Sequence, residues 1–348
     1  MLRRLEELSN INGVSGDEGK VRRYIKEAIK DIPNVQMRTD TMGNLIVHKK
    51  GQGPKVMLAA HMDEVGMLVL GVLDNGLIAY SQRGLDPRVV VSKRVVIGDD
   101  MVEGVIGAKA IHLQTREEMK AALAHSELFV DIGAKDKDDA LKYVKPGDHI
   151  AFTTRFKRLG ESKVLGKALD DRIGCAVLME LIKNTYECDF YAVFTVQEEL
   201  GLRGAMAAAY AVQPDAALIL EGTVANDTPD ADDASYATKL GAGVAITFMD
   251  RATIVNPNMF KLLAATAKEA NIKWQPRQTT SGANDAGPIH QACAGCVAGS
   301  LAVPCRYIHS PASIADINDI NSMYALADAF LKNKKQLNLC NFAKVQRC

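Results

Sequence analysis

The sequence has no excess of charge of either sign, since 42 Lys and Arg residues balance 42 Asp and Glu residues in a chain of 348. A surface for nucleic acid or for anionic lipid usually leaves a basic excess, so neither partner is expected. No run approaches the roughly 20 apolar residues that cross a membrane. Met1–Glu7 has an amphipathic pattern without the apolar run of a secretory signal, so we expect a cytoplasmic protein.

Cysteine is scarce and irregularly placed. The seven cysteines are Cys175, Cys188, Cys293, Cys296, Cys305, Cys340 and Cys348. Their odd number and scattered positions favour reduced thiols in a cytosol over a secreted disulfide framework. Cys293 and Cys296 have the spacing of a metal or redox pair, but no second pair of this spacing accompanies them. We therefore predict that both are small buried thiols.

Short apolar runs alternate with helical periodicity in two separated parts of the chain. Val56–Ala60, Phe190–Val196 and Ala216–Leu220 are predicted as buried strands, the last of which ends at Glu221. Apolar residues recur at helical spacing after Asp170. This alternation predicts an α/β domain built from residues 1–66 and 164–348.

The stretch from Met67 to Lys163 has short strand-like pieces separated by turns such as Asp74-Asn75-Gly76. We predict that residues 67–163 form a small β-rich domain inserted into the α/β domain. Arg88–Val91 is predicted as one of its strands, and one helix is predicted near Glu117–Ala124.

Two adjacent carboxylates, Glu198 and Glu199, follow the strand-like run Phe190–Val196. Adjacent residues of a strand point to opposite sides, so one carboxylate faces a site while the other lies beside it. Carboxylates next to a buried strand are costly unless a cation or a proton shares them. In isolation the pair is typical of a solvated acidic turn, so the rest of the chain decides between the two interpretations.

Other predicted elements also end in, or begin with, side chains that bind metals. Together with the two glutamates, the members are His61, Asp170, Glu198, Glu199, Glu221 and His309. In an open α/β sheet a site forms outside the carboxyl ends of the strands, where these residues would meet. Two imidazoles and three or four carboxylates suit divalent zinc, cobalt or manganese. This is more than one catalytic ion usually takes, so we predict two ions bridged by one carboxylate.

Each member also has a structural interpretation. A lone histidine at a strand end is often a hydrogen-bonded structural residue, and Asp170-Asp171 is typical of a helix N-cap. Glu221 could cap an element or form a salt bridge. Asp63, two residues after His61, could be a surface charge or a partner that holds the imidazole tautomer. The number of elements that share this feature favours the metal site.

At these residues, and over nearly its whole length, the chain resembles the tetrahedral (TET-type) aminopeptidases. These are dinuclear metallopeptidases that include bacterial glutamyl aminopeptidases and some chains labelled endoglucanase. The resemblance is carried by the order and separation of His61–Gly66, Ala168–Arg172, Val196–Gly201, Ser281–Gly287 and Arg306–Pro311. It implies a three-layer α/β catalytic domain with a mixed sheet and an inserted small β-barrel or PDZ-like domain, which matches the predicted insertion.

The resemblance also implies a role for each site residue. Its five metal ligands are divided between two ions, with His61 and Glu221 on one, Glu199 and His309 on the other, and Asp170 bridging both. Glu198 would be the general base and Asp63 would orient His61. The Asp170–Asp171 peptide would be cis. Many members carry Asp where Glu221 stands, and the extra methylene bears on affinity there and on which metal fills that site.

The activity implied is removal of N-terminal residues from short peptides with a free amino terminus, by a metal-activated water with Glu198 as general base. Two divalent ions per subunit are expected, with zinc or cobalt ahead of manganese. Members of the family commonly assemble as twelve-subunit tetrahedra, so a homo-oligomer is expected, either a tetrahedral dodecamer or the dimer that is its building block.

Other functions stay open from the residues alone. Paired carboxylates could be the acid and base of a glycosidase, although that function gives the two histidines no role. The same dinuclear scaffold could hydrolyse N-acyl amino acids or other amides, which would not require a free amine. A binding protein that kept the fold without activity is a third alternative, which the presence of Glu198 disfavours.

Overall fold

The computed structural model describes residues 1–229 and 237–333, so Cys340 and Cys348 lie outside the described residues. The helices in these two ranges are α1 Leu2–Asn10, α2 Gly19–Ile29, α3 Pro87–Val90, α4 Lys137–Ala140, α5 Leu169–Leu181, α6 Arg203–Val212, α7 Pro257–Glu269, α8 Ala286–Gln291 and α9 Ile317–Lys332. None of them combines the length and the apolar character that crossing a membrane requires.

The strands in the same ranges are β1 Gln36–Thr39, β2 Leu45–Lys49, β3 Lys55–His61, β4 Met67–Val72, β5 Ile78–Gln82, β6 Arg94–Ile97, β7 Val102–Ala108, β8 Leu128–Asp131, β9 His149–Phe152, β10 Lys157–Leu159, β11 Lys163–Gly166, β12 Asp189–Thr195, β13 Ala216–Val224, β14 Val244–Ile246, β15 Trp274–Pro276, β16 Val297–Arg306 and β17 Ser313–Asp316. Eleven of them form one sheet in the order β1-β2-β12-β3-β13-β16-β17-β11-β10, with β14 and β15 attached beside β16. The central strands β12, β3, β13 and β16 are parallel, and antiparallel strands flank them. The prediction of a mixed α/β sheet is confirmed.

Alternate residues of the central strands face two different helical layers. In β3, Leu58 and Ala60 pack in the core that includes α1, α2, α5 and α9, whereas Met57 and Ala59 pack with α6 and α8. All four side chains are buried. A strand that is covered on both faces is apolar at every position, which explains the continuous apolar run in the sequence. The three-layer arrangement is therefore confirmed.

The strands between β3 and β10 form a separate closed barrel, in which the order is β4-β5-β8-β7-β6-β9. The barrel has its own buried core, which includes Val69, Ile106 and Phe152. The prediction of an inserted small β-barrel is confirmed. Its bounds at 67–163 and its role in assembly stay predictions; β10, which lies inside those bounds, pairs with β11 of the large sheet.

Two local predictions in the insertion are wrong. Arg88–Val91 is not a strand, because Pro87 stands in the first turn of α3 and the Asp86 carboxylate accepts a hydrogen bond from the Arg88 N–H at 2.8 Å. Glu117–Ala124 contains only a 3₁₀ turn at Glu118–Lys120. None of these eight residues is buried, and a short helix without tertiary packing is unstable.

The prediction of two buried thiols at Cys293 and Cys296 is also wrong. Cys293 is exposed and Cys296 is half-buried. Helix α8 ends at Gln291, and the chain then turns with Cys293 in the left-handed region at φ 55°. The two cysteines therefore fall in a surface turn between α8 and β16.

Candidate metal centre

The register of the parallel strands brings His61 beside Glu221. Strand β13 pairs with β3 only as far as Ile219, and then continues to Val224 against β16 alone. The two neighbouring strands therefore part just before His61 and Glu221, and a crevice opens between these side chains. The prediction that this strand ends at Glu221 is wrong, because its pairing with β16 extends it by three residues.

Asp170 lies at the start of α5, across this crevice. Its Oδ1 is 3.4 Å from His61 Nε2 and its Oδ2 is 3.7 Å from His309 Nε2, so one carboxylate faces both imidazoles. The Gly222 N–H donates to Asp170 Oδ1 at 3.1 Å, and the Asp171 carboxylate accepts from the His61 N–H at 3.2 Å. The Asp170–Asp171 peptide is cis, as the resemblance implies.

Each imidazole also faces a second carboxylate. His61 Nε2 lies 3.3 Å from Glu221 Oε1, and His309 Nε2 lies 3.4 Å from Glu199 Oε2. The candidate centre therefore has two halves joined by Asp170. We name them the strand half, formed by His61 and Glu221, and the loop half, formed by Glu199 and His309.

His61 is only 1% exposed, and the main chain of Asp63 sets the orientation of its ring. Nδ1 lies 3.1 Å from the Asp63 carbonyl oxygen. A carbonyl can only accept, so Nδ1 carries the proton and Nε2 is left to accept. Among the described residues, Nε2 is buried without a hydrogen-bond partner. Nε2 faces the carboxylates of Asp170 and Glu221, and a proton or a divalent cation at this position would compensate them. The residues present therefore fit a metal ion.

The carboxylate of Asp63 holds the turn that carries the two glutamates. Its Oδ1 accepts from the Glu198 N–H at 3.0 Å, and its Oδ2 accepts from the Glu199 N–H at 3.1 Å and from the Ser15 hydroxyl at 2.6 Å. Asp63 is fully buried, which excludes the surface-charge interpretation. One residue thus orients the ring of His61 and the backbone of Glu198 and Glu199.

Glu18 supports the same turn, and sequence reasoning missed it. Its side chain is buried, and Oε1 accepts from the Gly16 N–H at 2.8 Å and from the Gln197 N–H at 3.0 Å. Together with Asp63, it binds the three successive amides of Gln197–Glu199. Turn-forming residues, Asn12–Asp17, precede Glu18 in the sequence, but they do not indicate where its carboxylate points.

The electrostatics of the cluster are dominated by buried negative charge. Burial raises the pKa of Glu199 to about 7 and the pKa of Glu221 to about 8. Burial, followed by the charge of Glu221, also raises the pKa of Glu198. Burial lowers the pKa of His309, but Asp170 and Glu199 together raise it to about 9. Protons thus compensate these carboxylates, which is a role that a divalent cation can take.

The position of Glu198 does not by itself separate a base from a ligand. His61, Glu198 and Glu221 each offer one atom within 4.8 Å of the others, and His61, Asp170 and Glu199 do the same. His309 joins the cluster through its distances to Asp170 and Glu199. The role of Glu198 therefore depends on chemistry that variants can test.

The cluster opens into a cavity of about 550 Å³. Leu202 and Ile308 line it with apolar surface, and Thr247, Asp250 and Arg277 line it with polar groups. A cavity of this size suits a small ligand or the end of a chain. Sequence reasoning missed these lining residues, although Ile308 directly precedes His309, because the sequence does not show which side chains face a cavity.

The profile of the M42 glutamyl aminopeptidase family matches residues 43–326. The chain belongs to the peptidase M42 family. It is 30% identical to the lysyl aminopeptidase of Pyrococcus furiosus over 338 residues, which cover 94% of this chain and 95% of the relative. M42 membership identifies the chain as a peptidase, a hydrolase of the aminopeptidase class.

Solved structures agree with this assignment. A TET aminopeptidase from a marine sediment archaeon of the Thaumarchaeota superimposes with a TM-score of 0.94 at 32% identity, and the match covers 98% of each chain. The TET1 peptidase of Pyrococcus horikoshii gives a TM-score of 0.86 at 31% identity over 95% of this chain and 99% of that one. The resemblance to tetrahedral aminopeptidases is confirmed.

Proposed function

We propose that this M42 chain is a cytoplasmic aminopeptidase that removes N-terminal residues from short peptides with two divalent ions and a glutamate base. The observation that carries the proposal is the Asp170 carboxylate, whose two oxygens face the imidazoles of His61 and His309. Each imidazole has a further carboxylate within 3.4 Å. This donor set suits zinc or cobalt, with manganese as the third candidate.

The five ligands would be shared between the halves, with His61 and Glu221 on one ion, Glu199 and His309 on the other, and Asp170 on both. When bound, the metal pair supplies a water of lowered pKa and a positive charge for the oxyanion. Asp63 keeps His61 in the tautomer whose Nε2 can bind. This proposed division gives Glu198 no ligand role.

Glu198 would act as the general base. It accepts a proton from the attacking water and then donates that proton to the leaving amine. Its main chain is fixed by the Asp63 carboxylate at 3.0 Å, and its side chain lines the cavity in which a scissile bond would lie. A base held in this way is positioned before substrate binds.

The activity can be tested with dipeptides and their N-acetylated counterparts, each supplied with zinc, cobalt or manganese. We expect hydrolysis of the free dipeptides only, because the proposed reaction requires a free amino terminus. Hydrolysis of only the N-acetylated compounds would identify an N-acyl amino acid hydrolase and contradict the proposal. Cellulose oligosaccharides in the same assay test the glycosidase alternative.

We also propose that the chain is a homo-oligomer in which residues 67–163 form the assembly domain. The TET1 peptidase of Pyrococcus horikoshii can assemble into a tetrahedron or a large octahedral shell, which supports the proposal. Large apolar side chains of the insertion, such as Leu70 and Ile111, are exposed in the isolated chain. Light scattering at micromolar concentration should show a large assembly, and replacement of 67–163 by a short Gly/Ser bridge should leave smaller species. A monomer of the intact chain would contradict the proposal.

A further inference from the structure

We propose that Arg277 binds a carboxylate of the substrate in the cavity beside the metal centre. The inference rests on the proposed function, because it names a substrate group for the same cavity. Family membership leaves this group open: the profile is named for glutamyl aminopeptidases, whereas the relative from Pyrococcus furiosus is a lysyl aminopeptidase.

Strand geometry places Arg277 next to the strand half. Its N–H donates to the Ile246 carbonyl at 3.0 Å, and its Nε donates to Thr223 Oγ1 at 2.9 Å. Thr223 and Glu221 are two residues apart on β13, so both side chains lie on one face. Two residues of a strand span roughly 6–7 Å. Because the guanidinium is bonded to Thr223, it lies about this distance along β13 from Glu221.

The guanidinium is held by several hydrogen bonds, but not all of its N–H groups take part in them. Nη1 donates to the Thr279 carbonyl at 2.9 Å and Nη2 donates to the Ser281 carbonyl at 2.6 Å. With the bond from Nε, three of its five N–H groups are engaged, and two N–H groups are left. All three acceptors are neutral, so they orient the group without compensating its charge.

No carboxylate among the described residues forms an ion pair with this arginine, although only 9% of it is exposed. Burial lowers the pKa of Arg277, and the charges of Asp250 and Glu221 raise it from farther away. Glu221 belongs to the candidate metal set, and a bound ion would take up its charge. A buried guanidinium with two remaining N–H groups matches the two oxygens of a carboxylate.

Asp250 is the group that could favour a basic ligand instead. Its Oδ1 already accepts from the N–H groups of Ala252 and Thr253, both at 2.8 Å. Its Oδ2 is buried and has no hydrogen-bond partner among the described residues, so its carboxylate is held by the main chain on one side only. Among the described residues that line the cavity, Arg277 is the one arginine or lysine, so it is the group that can pair with a carboxylate of a ligand.

Two parts of a peptide could supply the carboxylate. One is the side chain of an acidic N-terminal residue, and the other is the C-terminal carboxylate of a dipeptide. The chemistry of recognition is the same in both cases, so the experiment compares them in separate arms. The first arm uses the p-nitroanilides of Glu and Gln, and the second uses Ala-Ala and Ala-Ala amide.

The values of kcat/KM are measured with the metal-loaded, full-length protein and with Arg277→Met, Arg277→Lys and Arg251→Met. Arg251 is the matched control, because it is an exposed arginine bonded through its N–H to the cavity residue Gly282. The wild type should prefer the carboxylate member of at least one pair. Arg277→Met should lower that preference about 10- to 100-fold, the range of a charge-assisted pair. Arg277→Lys should restore part of it, and Arg251→Met should leave it unchanged.

The inference is overturned if the wild type prefers neither carboxylate, or if Arg277→Met lowers kcat/KM equally for charged and neutral members. The latter result would indicate a purely structural role. An equal loss of preference in Arg251→Met would indicate a long-range field and would also overturn it. If no compound is hydrolysed, the proposed function fails. Calorimetric binding of glutamate against glutamine, and of Ala-Ala against its amide, then tests Arg277 separately.

Discussion

The two halves of the candidate centre carry the same kinds of donor on different supports. His61 is the last residue of β3 and is 1% exposed. His309 lies in a turn after β16, in the left-handed region at φ 56°, and its side chain is 41% exposed. The strand half is therefore held by the sheet, whereas the loop half depends on a turn that meets solvent.

The neighbours of the two histidines differ in the same way. His61 is held through Nδ1 by the Asp63 carbonyl and through its N–H by the Asp171 carboxylate. The ring of His309 lies beside Gly84 of the insertion, where an added Cβ would come within 3.2 Å of Nδ1. The same kinds of ligand, held on supports of different rigidity, need not bind their metal ions with the same affinity. We expect the ion of the strand half to bind more tightly and to exchange more slowly.

Metal removal should have the largest effect. Exhaustive chelation should abolish peptide hydrolysis, and added zinc, cobalt or manganese should restore it, because both halves contribute to activation of the water. Partial chelation should remove one ion first, from the loop half. Metal analysis and rate measurements on the same samples check both statements. Full activity in a verified metal-free preparation would contradict the metal centre.

Substitution of the two adjacent glutamates should have different effects on turnover and on metal content. Glu198→Gln keeps size but cannot accept a proton, so kcat should fall by roughly 10²–10⁴, while metal content stays near two ions per chain. Glu199→Gln should weaken the ion of the loop half, and excess metal should recover part of the rate. Loss of metal from Glu198→Gln, with both ions retained in Glu199→Gln, would reverse the two roles. If both variants remain fully active, neither residue serves the reaction.

A matched pair of histidine variants compares the halves directly. His61→Gln removes a buried ring and its bond to the Asp63 carbonyl, so the free energy of unfolding of the apoprotein should fall by about 1–3 kcal/mol. His309→Gln alters a more exposed side chain and should change it by less than about 0.5 kcal/mol. His309→Gln should also keep one tightly bound ion. Denaturant melts and metal analysis test this, and equal losses in both variants would remove the distinction between the halves.

Shortening one carboxylate should have the smallest effect. Glu221→Asp withdraws the oxygen that lies 3.3 Å from His61 Nε2, so the affinity of the strand half for its metal ion should change. The value of kcat at saturating metal should stay near that of the wild type. Glu199→Asp is the matched change in the loop half. Equilibrium dialysis with zinc and cobalt should show that each variant alters only its own ion. A change in the opposite ion alone would contradict the ligand division.

Much of the architecture could be predicted from local sequence pattern. Apolar runs such as Val56–Ala60 and Ala216–Leu220 predicted the buried strands, because burial on both faces requires apolar residues at successive positions. Sites in α/β sheets form outside the carboxyl ends of the strands, which predicted that His61 and Glu221 lie close together. The register of β3 and β13 does bring them together. The prediction from sequence pattern was wrong at Arg88–Val91. The valines there favoured a strand, but Pro87 and the Asp86 cap start a helix.

The tertiary structure alone decided the surroundings of the site. Glu18 contacts the N–H of Gln197, 179 residues away, and Arg277 contacts Thr223, 54 residues away. The periodicity of apolar residues along the sequence does not predict such contacts, because they depend on how separate loops converge at one edge of the sheet. The sequence thus determined which donor atoms the chain carries and which predicted elements they begin or follow. Only packing decided which donors are buried without a partner, which carboxylate faces both histidines, and which cation lines the cavity, since burial and distance are properties of the assembled chain.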